Sequence, residues 1–425
     1  MTRALPVFWL ASAVVLGGAL SLLPAPLNET VWTHTWQVAR GASGDDSWGP
    51  MRVGLEHLES GDAGRVYDVV FFERRIKLQY PPTALLAIVP VRAAARRLEL
   101  EERTILFTVS LAALAFAVAF TAAILASATS PASPRQRLWC GVMAALLALT
   151  FYPIVKACTL GQIQIWIDAL FAGALWAWMR GRPVVAGVAL GLITCLKPQF
   201  AVLLLWGLVR RRRAFALAFG ATVALAAVLS IAVFGWPAHA NYLDVVRFLG
   251  RHGEAFQANQ SIGGTLHRLV GNGESQEWQH DAFPPYHPWV FAGTALTSAL
   301  LLILALARRP TAAGSGGPAD LGAMALAATL ASPIAWEHHH GILLPLYALL
   351  FARRPRSASF LAGLAGSYGL TSHLFAFTRA LTGIPWVLAQ SYTLLGSLVA
   401  LALLLSLRAR DHEARADGAT TVPSP

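Results

Sequence analysis

The chain has 425 residues, of which 56% are hydrophobic and only 13% are charged. Soluble domains carry about 25% charged residues, so the composition excludes an ordinary soluble protein and predicts an integral membrane protein. The net charge is +11, but the arginines stand in short clusters between apolar runs, as in the cytoplasmic loops of multi-pass proteins. This distribution argues against a nucleic-acid partner.

Apolar runs long enough to cross a bilayer recur along the chain, and a crossing helix needs about 20 such residues. The sequence predicts an all-α, polytopic transmembrane helical bundle over residues 1–407, with about 10–12 spans, and a disordered cytoplasmic tail over 408–425. The first run is expected to be an uncleaved helix rather than a signal peptide. The candidate spans are 6–23, 104–127, 138–157, 160–179, 183–209, 214–235, 288–307, 321–336, 341–352, 358–378 and 384–407.

The arginine clusters also predict an orientation. With the clusters inside, the loops 24–80 and 236–287 and the ends of several spans fall on the extracytoplasmic side. Strict alternation then requires a half-span or re-entrant segment between residues 81 and 157. The pair Lys197-Pro198 interrupts the run 183–209, because proline removes a helical hydrogen bond. Two short helices are therefore expected there, with Lys197 at their outer junction.

The first outer loop contains a helical pattern in residues 48–60. Its apolar residues Trp48, Met51, Leu55 and Leu58 recur at helical spacing. The pattern predicts a short amphipathic helix that lies at the membrane surface.

Few polar residues interrupt the apolar runs, and a buried charge in a membrane is costly enough to suggest a function. Asp168 lies in mid-span, one turn after Gln164, and we expect it to be a buried partner of a neighbouring polar group. The other polar groups lie at the predicted outer ends of spans. Together they predict one extracytoplasmic cavity with an acid, cations for a phosphate, and an apolar approach for a lipid tail.

Four motifs are similar, in order, to glycosyltransferase family 87, a family of C-type (GT-C) integral membrane enzymes. The first is Tyr80-Pro81-Pro82-Thr83-Ala84-Leu85-Leu86, and the second is a central block of Leu160-Gly161-Gln162-Ile163, Arg180-Gly181-Arg182-Pro183, Ala186-Gly187-Val188-Ala189-Leu190-Gly191 and Lys197-Pro198. The third is Asn259-Gln260-Ser261 followed by Gly263-Gly264, and the fourth is Ser332-Pro333-Ile334-Ala335-Trp336-Glu337-His338-His339. The resemblance implies inverting transfer of a hexose, with mannose expected, from a polyprenyl-phosphate donor to a glycolipid or cell-envelope glycan. It also implies a cell-membrane enzyme whose active site faces the extracytoplasmic side.

Two alternatives remain open at this stage. Related membrane enzymes use polyprenyl-phosphate-arabinofuranose, so the donor sugar is not fixed. A lipid or sugar transporter, or a flippase, would be a different class of protein. Such a protein would show internal repeats and several charges in mid-membrane, and the sequence displays neither.

The resemblance assigns roles to individual residues. Asp46 in the first outer loop is the expected general base, with Asp45 as the neighbouring alternative; either could instead cap the helix that follows. The expected contacts to donor and phosphate are Lys197, His338, His339, Gln162 and Tyr80, and the expected substrate contacts are Asn259, Gln260 and Trp336.

Each of these residues also has a structural interpretation. Lys197 could reach lipid headgroups, and the aromatic side chains could belong to the interfacial belt. The histidines, Gln162 and Asn259 could be purely structural. Consecutive histidines on a helix point in different directions, and no metal ligand set or cofactor motif is evident.

Overall fold

The computed structural model describes residues 30–128, 132–307, 316–353 and 357–419, with side chains as far as residue 407. The predicted first span, 6–23, lies outside the described residues. Regular structure in the described segments is helical, and their only β-type pairing is one isolated bridge between Asn259 and Trp336. The prediction of an all-α fold is confirmed.

The described segments contain eighteen α-helices, which we number in chain order. They are α1 (Val31–Ala39), α2 (Trp48–Glu59), α3 (Pro82–Leu85), α4 (Val89–Leu98), α5 (Glu102–Ala126), α6 (Pro134–Leu149), α7 (Tyr152–Leu160), α8 (Gln164–Met179), α9 (Pro183–Leu196), α10 (Val202–Val209), α11 (Arg213–His252), α12 (Ile262–Leu269), α13 (Pro288–Leu306), α14 (Pro318–Leu330), α15 (Leu343–Ala352), α16 (Ala358–Ser372), α17 (Val387–Gln390) and α18 (Tyr392–Ala419).

Three of these helices, α5, α11 and α13, are long and apolar enough to cross a membrane by themselves. Two bent pairs could add one span each: α6 and α7 meet at 63°, and the segment Ile384–Gln390 meets α18 at 56°. The first bend falls between residues 81 and 157, where alternation requires a half-span or re-entrant segment. The total of 10–12 spans stays a prediction.

Helix α2 forms where the apolar spacing predicts it. Trp48, Met51, Leu55 and Leu58 are all buried along one face of the helix. The Trp48 ring lies 5.1 Å from the ring of Trp166 on α8, so this face packs against the bundle. The segment that carries α2 is thereby fixed to the helical bundle.

Two breaks in long apolar runs shape the site. Lys197 has an extended backbone between α9 and the 3-10 turn Pro198–Ala201, as the Lys197-Pro198 pair predicts. Helix α11 is kinked at Gly235, which has a φ of 78°. The sequence predicts a loop from residue 236, but the helix resumes after the kink and continues to His252. It can do so because Pro237 stands in the first turn of the new helix, where a backbone nitrogen needs no helical hydrogen-bond partner.

The centre of the bundle is occupied by α14, whose residues from Ala319 to Leu330 are all buried. A helix that is apolar all round is expected at such a position. Its one acidic residue, Asp320, accepts hydrogen bonds from Arg210 Nε at 2.7 Å and from Trp206 Nε1 at 3.0 Å. The buried carboxylate is therefore paired with a cation and a ring N–H.

Candidate active site

One large cavity opens between the segments on either side of α2, the start of α8, the Lys197 break and the segment before α15. Its volume is about 1170 Å³. Most of the residues predicted from the sequence line its wall: Asp45, Asp46, Tyr80, Gln162, Lys197, Trp336, His338 and His339. Chain segments nearly 300 residues apart thus meet in one place, as the sequence predicts for these eight residues.

The loop that carries the two aspartates is held against the end of α7 by main-chain hydrogen bonds. Gly44 N donates to Thr159 O at 2.7 Å, and Asp46 N donates to Leu160 O at 3.0 Å. Gly161 has a φ of 67°, and a Cβ atom on it would lie 2.1 Å from Gly44 O. Only glycine allows this backbone geometry and this close approach. The Gly161 position therefore fixes where the Asp46 backbone lies.

Gln162 holds the side chain of Asp46. Its Nε2 donates a hydrogen bond to Asp46 Oδ2. Its Oε1 accepts from Ser47 Oγ at 2.6 Å and from Tyr80 OH at 3.2 Å. The side-chain hydroxyl oxygens of Ser47 and Tyr80 also lie 2.7 Å from each other, within hydrogen-bond distance. These contacts orient the Gln162 amide, so its N–H points at the carboxylate.

The two neighbouring aspartates differ in their partners. Asp45 forms an ion pair with Arg52 on α2, whereas Asp46 forms no ion pair with any residue that the structure describes. Neither aspartate caps α2: its N-cap is Ser47, and no side-chain hydrogen bond is made there. Asp46 is therefore the better placed of the two to accept a proton.

The pKa of Asp46 is set by opposing influences. The carboxylate is accessible from the cavity, yet protein surrounds it closely, and this burial raises its pKa above the ordinary value. The hydrogen bond from Gln162 and the positive charges of Lys156 and Lys77 act in the opposite direction. A base with a raised pKa binds a proton more readily in the transition state.

Lys197 is buried at the cavity wall and connects to Asp168 through one side chain. Its Nζ donates to Gln164 Oε1 at 2.7 Å, and Gln164 Nε2 donates to Asp168 Oδ1 at 2.8 Å. Asp168 is thus the buried partner of a polar neighbour, as predicted. An ammonium group has three donors, and Gln164 occupies one of them. The remaining donors suit an anion in the cavity.

The histidine segment is held by the loop between α11 and α12. Gln260 N donates to Ala335 O at 2.8 Å, and Glu337 N donates to Ala258 O at 3.0 Å. His338 and His339 line the cavity. Two of their ring nitrogens, His338 Nε2 and His339 Nδ1, are buried and form no hydrogen bond with any residue that the structure describes. Both imidazole rings therefore form part of the cavity wall.

His340 faces away from the cavity. Its Nδ1 lies 2.8 Å from Ser397 Oγ, inside the bundle. Across the described part of the chain, no three His, Cys, Asp or Glu side chains are grouped so that they could hold a metal ion.

Asn259 and Gln260 lie outside the cavity wall and are fully buried. Asn259 Nδ2 donates to Glu254 O at 2.8 Å, and its Oδ1 accepts from Ala335 N at 2.9 Å. Gln260 Nε2 donates to Gln390 O at 2.8 Å, and its Oε1 accepts from Thr393 N at 3.1 Å. These contacts support the structural role for Asn259, and they give Gln260 the same role.

No sequence pattern predicts a buried contact that joins the loop before α3 to the loop between α11 and α12. Lys77 Nζ donates to Glu254 Oε2 at 2.8 Å, and both side chains are at least 90% buried. The ammonium also lies 3.9 Å from the ring centroid of Trp278 and 4.3 Å from that of Phe283. Lys77 and Trp278 line the cavity, so this contact joins the two loops at its wall.

Comparison with known proteins gives one family. The model of "Glycosyltransferase family 87" matches residues 78–335. A polyprenol-phosphate-mannose-dependent alpha-(1-2)-phosphatidylinositol pentamannoside mannosyltransferase of Mycobacterium tuberculosis (strain CDC 1551 / Oshkosh) is 28% identical over 334 residues, which are 77% of this chain and 69% of the relative.

Two further relatives are polyprenol-phosphate-mannose-dependent alpha-(1-2)-phosphatidylinositol mannoside mannosyltransferases. The protein of Mycolicibacterium smegmatis is 31% identical over 250 residues, 57% of this chain and 54% of the relative. The protein of Mycobacterium tuberculosis (strain ATCC 25618 / H37Rv) is 28% identical over 369 residues, 80% of this chain and 81% of the relative. With its apolar helices and a family match over more than half its length, the chain belongs to glycosyltransferase family 87 and is a membrane glycosyltransferase.

Proposed function

We propose that this enzyme transfers a mannosyl residue from a polyprenyl-phosphate donor to a glycolipid at the extracytoplasmic face of the cell membrane. Anomeric configuration is inverted, and Asp46 is the general base. The names of the relatives support the donor, the sugar and the class of acceptor. The observation that carries the mechanism is the Asp46 carboxylate, free of ion pairs within the described residues and oriented by Gln162.

The proposed step is a single displacement. The oxygen of an acceptor hydroxyl forms a bond to the anomeric carbon while its proton passes to Asp46. The bond from the anomeric carbon to the phosphate oxygen breaks, and its electron pair stays on the phosphate. Polyprenyl phosphate leaves as a monoester. A positioned base of this kind typically contributes about 10²- to 10⁴-fold in rate.

The leaving phosphate gains negative charge as the bond breaks, so fixed positive charge near it lowers the barrier. Lys197 and Lys156 line the cavity, and the imidazole rings of His338 and His339 stand in the same wall. Lys197 is already oriented by Gln164, so little reorganisation is required when the phosphate binds. The ring centroids of Trp278 and Trp336 lie 5.1 Å apart, and the two rings offer an apolar wall for a sugar.

The direct test uses the purified protein in liposomes with labelled polyprenyl-phosphomannose and a mannolipid acceptor. We expect transfer by the wild type, transfer by Asp45→Asn, and loss of transfer in Asp46→Asn at equal protein level. Full activity of Asp46→Asn would remove Asp46 as the base. Transfer from an arabinofuranosyl donor, with none from the mannosyl donor, would overturn the proposed sugar.

The proposed orientation has its own test. In a Cys140→Ser background, we expect a cysteine at the exposed position Glu277 to react with an impermeant thiol reagent added to intact cells. A cysteine at the exposed position Arg213 should react only after permeabilisation. The reverse pattern would place the cavity on the cytoplasmic side.

A further inference from the structure

A second cavity of about 670 Å³ lies between α5, α8 and α9, and it shares no residue with the candidate active site. Its lining is apolar except at one end. Its apolar wall includes Ala112, Phe116, Phe120, Trp166, Gly173 and Trp176. Arg180 and Arg182 stand at its polar end. We call this cavity the α5–α8 groove.

The α5–α8 groove is open to the lipid-facing surface. Phe116 and Val185 on its rim are 60% and 52% exposed. Gly173 forms part of its floor, where an added Cβ would lie 3.0 Å from the Phe120 ring. Trp166 is fixed by a hydrogen bond from its Nε1 to Ser110 Oγ at 3.0 Å. The result is a preformed apolar channel with aromatic walls.

The polar end of the groove carries two exposed cations. The Arg180 guanidinium lies 5.6 Å from the centroid of the Trp176 ring. Within the described segments, neither Arg180 nor Arg182 forms an ion pair with an acidic side chain. A guanidinium binds phosphate through paired N–H donors, so this end of the groove complements an anionic headgroup.

The polar end is far from the candidate active site. Helix α8 begins at Gln164, which contacts Lys197 of the active-site cavity, and its 16 residues end just before Arg180. At 1.5 Å per residue the helix is about 24 Å long. A headgroup on Arg180 and Arg182 is therefore at the opposite end of α8 from the reacting groups, so it does not belong to a donor in its reactive position.

We propose that the α5–α8 groove binds one anionic phospholipid, with an acyl chain along the aromatic channel and its phosphate on Arg180 and Arg182. Basic pockets between membrane helices bind anionic lipid headgroups in this way. In the orientation proposed above, this end faces the cytoplasmic leaflet, where anionic lipids give the surface a negative potential. The site is independent of the transferase reaction.

The test compares retention of phosphatidylglycerol and phosphatidylcholine on the purified protein by native mass spectrometry. We expect the wild type to retain phosphatidylglycerol preferentially. Each headgroup contact contributes about 1 kcal/mol, so affinity should fall about fivefold in Arg180→Gln and more in the double variant with Arg182→Gln. The matched control is Arg135→Gln with Arg137→Gln, two exposed arginines that line neither cavity.

A second pair of variants tests the channel itself. Ala112 is exposed and lines the groove, so Ala112→Trp should fill it and reduce retention. Ala115→Trp, on the same helix but outside the groove, should not. Equal retention of both lipids, an equal loss in the Arg135 and Arg137 control, or full retention in Ala112→Trp would each overturn the proposal.

Discussion

The side-chain amide of Gln162 donates to the carboxylate of Asp46, while its carbonyl oxygen accepts hydrogen bonds from Ser47 and Tyr80. The proposed general base is thus oriented by a residue to which the proposed step assigns no bond-making or proton-transfer role. Gln162 belongs to one element of the family resemblance and Tyr80 to another. Their contact gives a physical reason for both elements to be present in one chain.

The first prediction concerns this positioning role. Gln162→Ala removes a hydrogen bond to a charged group, which is worth about 1.5–3 kcal/mol, so kcat/KM should fall about 10- to 100-fold. Because this bond also lowers the pKa of Asp46, the acidic limb of the pH profile should move to higher pH. The control is Gln199→Ala, which lines the same cavity. An unmoved acidic limb in Gln162→Ala would contradict the role.

The second prediction concerns Lys156. A general base acts only when deprotonated, so activity should be lost as the pH falls below the pKa of Asp46. Burial raises that pKa, and the charge of Lys156 lowers it. Lys156→Gln should therefore move the acidic limb of kcat/KM to higher pH, and Lys156→Arg should leave it near the wild-type position. Equal shifts in both variants would show that charge is not the cause.

The third prediction concerns Gly161. Alanine there would need a left-handed backbone, and its Cβ would clash with Gly44 O. Gly161→Ala should therefore lower the free energy of unfolding by about 1–3 kcal/mol or more and displace Asp46. We expect a lower melting temperature and loss of activity. Gly220→Ala is the control, since it lies within a helix with nothing within 4 Å of its added Cβ. A normal melting temperature with full activity in Gly161→Ala would show that the loop relaxes without cost.

The fourth prediction concerns the contact between Lys77 and Glu254. Burial lowers the pKa of Lys77 and raises that of Glu254, and each charge is stabilised by the other. Breaking such a pair leaves an uncompensated charge, so Lys77→Met should destabilise the protein by about 3–5 kcal/mol. The double variant with Glu254→Gln should be more stable than Lys77→Met alone. Thermal unfolding of both single variants and the double variant measures this coupling, and simple additivity would disprove it.

Local patterns allowed much of the fold to be predicted. The spacing of Trp48, Met51 and Leu55 predicts α2, since periodicity reports which face of a helix is buried. The pair Lys197-Pro198 predicts the break after α9, since proline cannot continue the helical hydrogen bonds. Both depend on residues close together in the chain.

Other features depend on contacts that no local pattern contains. Lys77 and Glu254 are 177 positions apart, and neither lies in a run that predicts burial. Asn259 stands in a recognisable motif, yet its amide is used by the backbone of two loop segments. The motif predicts a substrate contact for Asn259, but the side chain lies outside the cavity wall and holds the loop backbone, which no local pattern reveals.

Because Lys77 is buried, the ion pairs beside the cavity should differ in how strongly salt weakens them. Exposed charges are screened strongly by salt, and buried pairs much less. The ion pair between Arg52 and Asp45 is partly exposed, so salt should weaken it, whereas the pair between Lys77 and Glu254 is enclosed by aromatic rings. High salt should therefore alter the charge next to the Asp46 carboxylate while the contact between Lys77 and Glu254 persists.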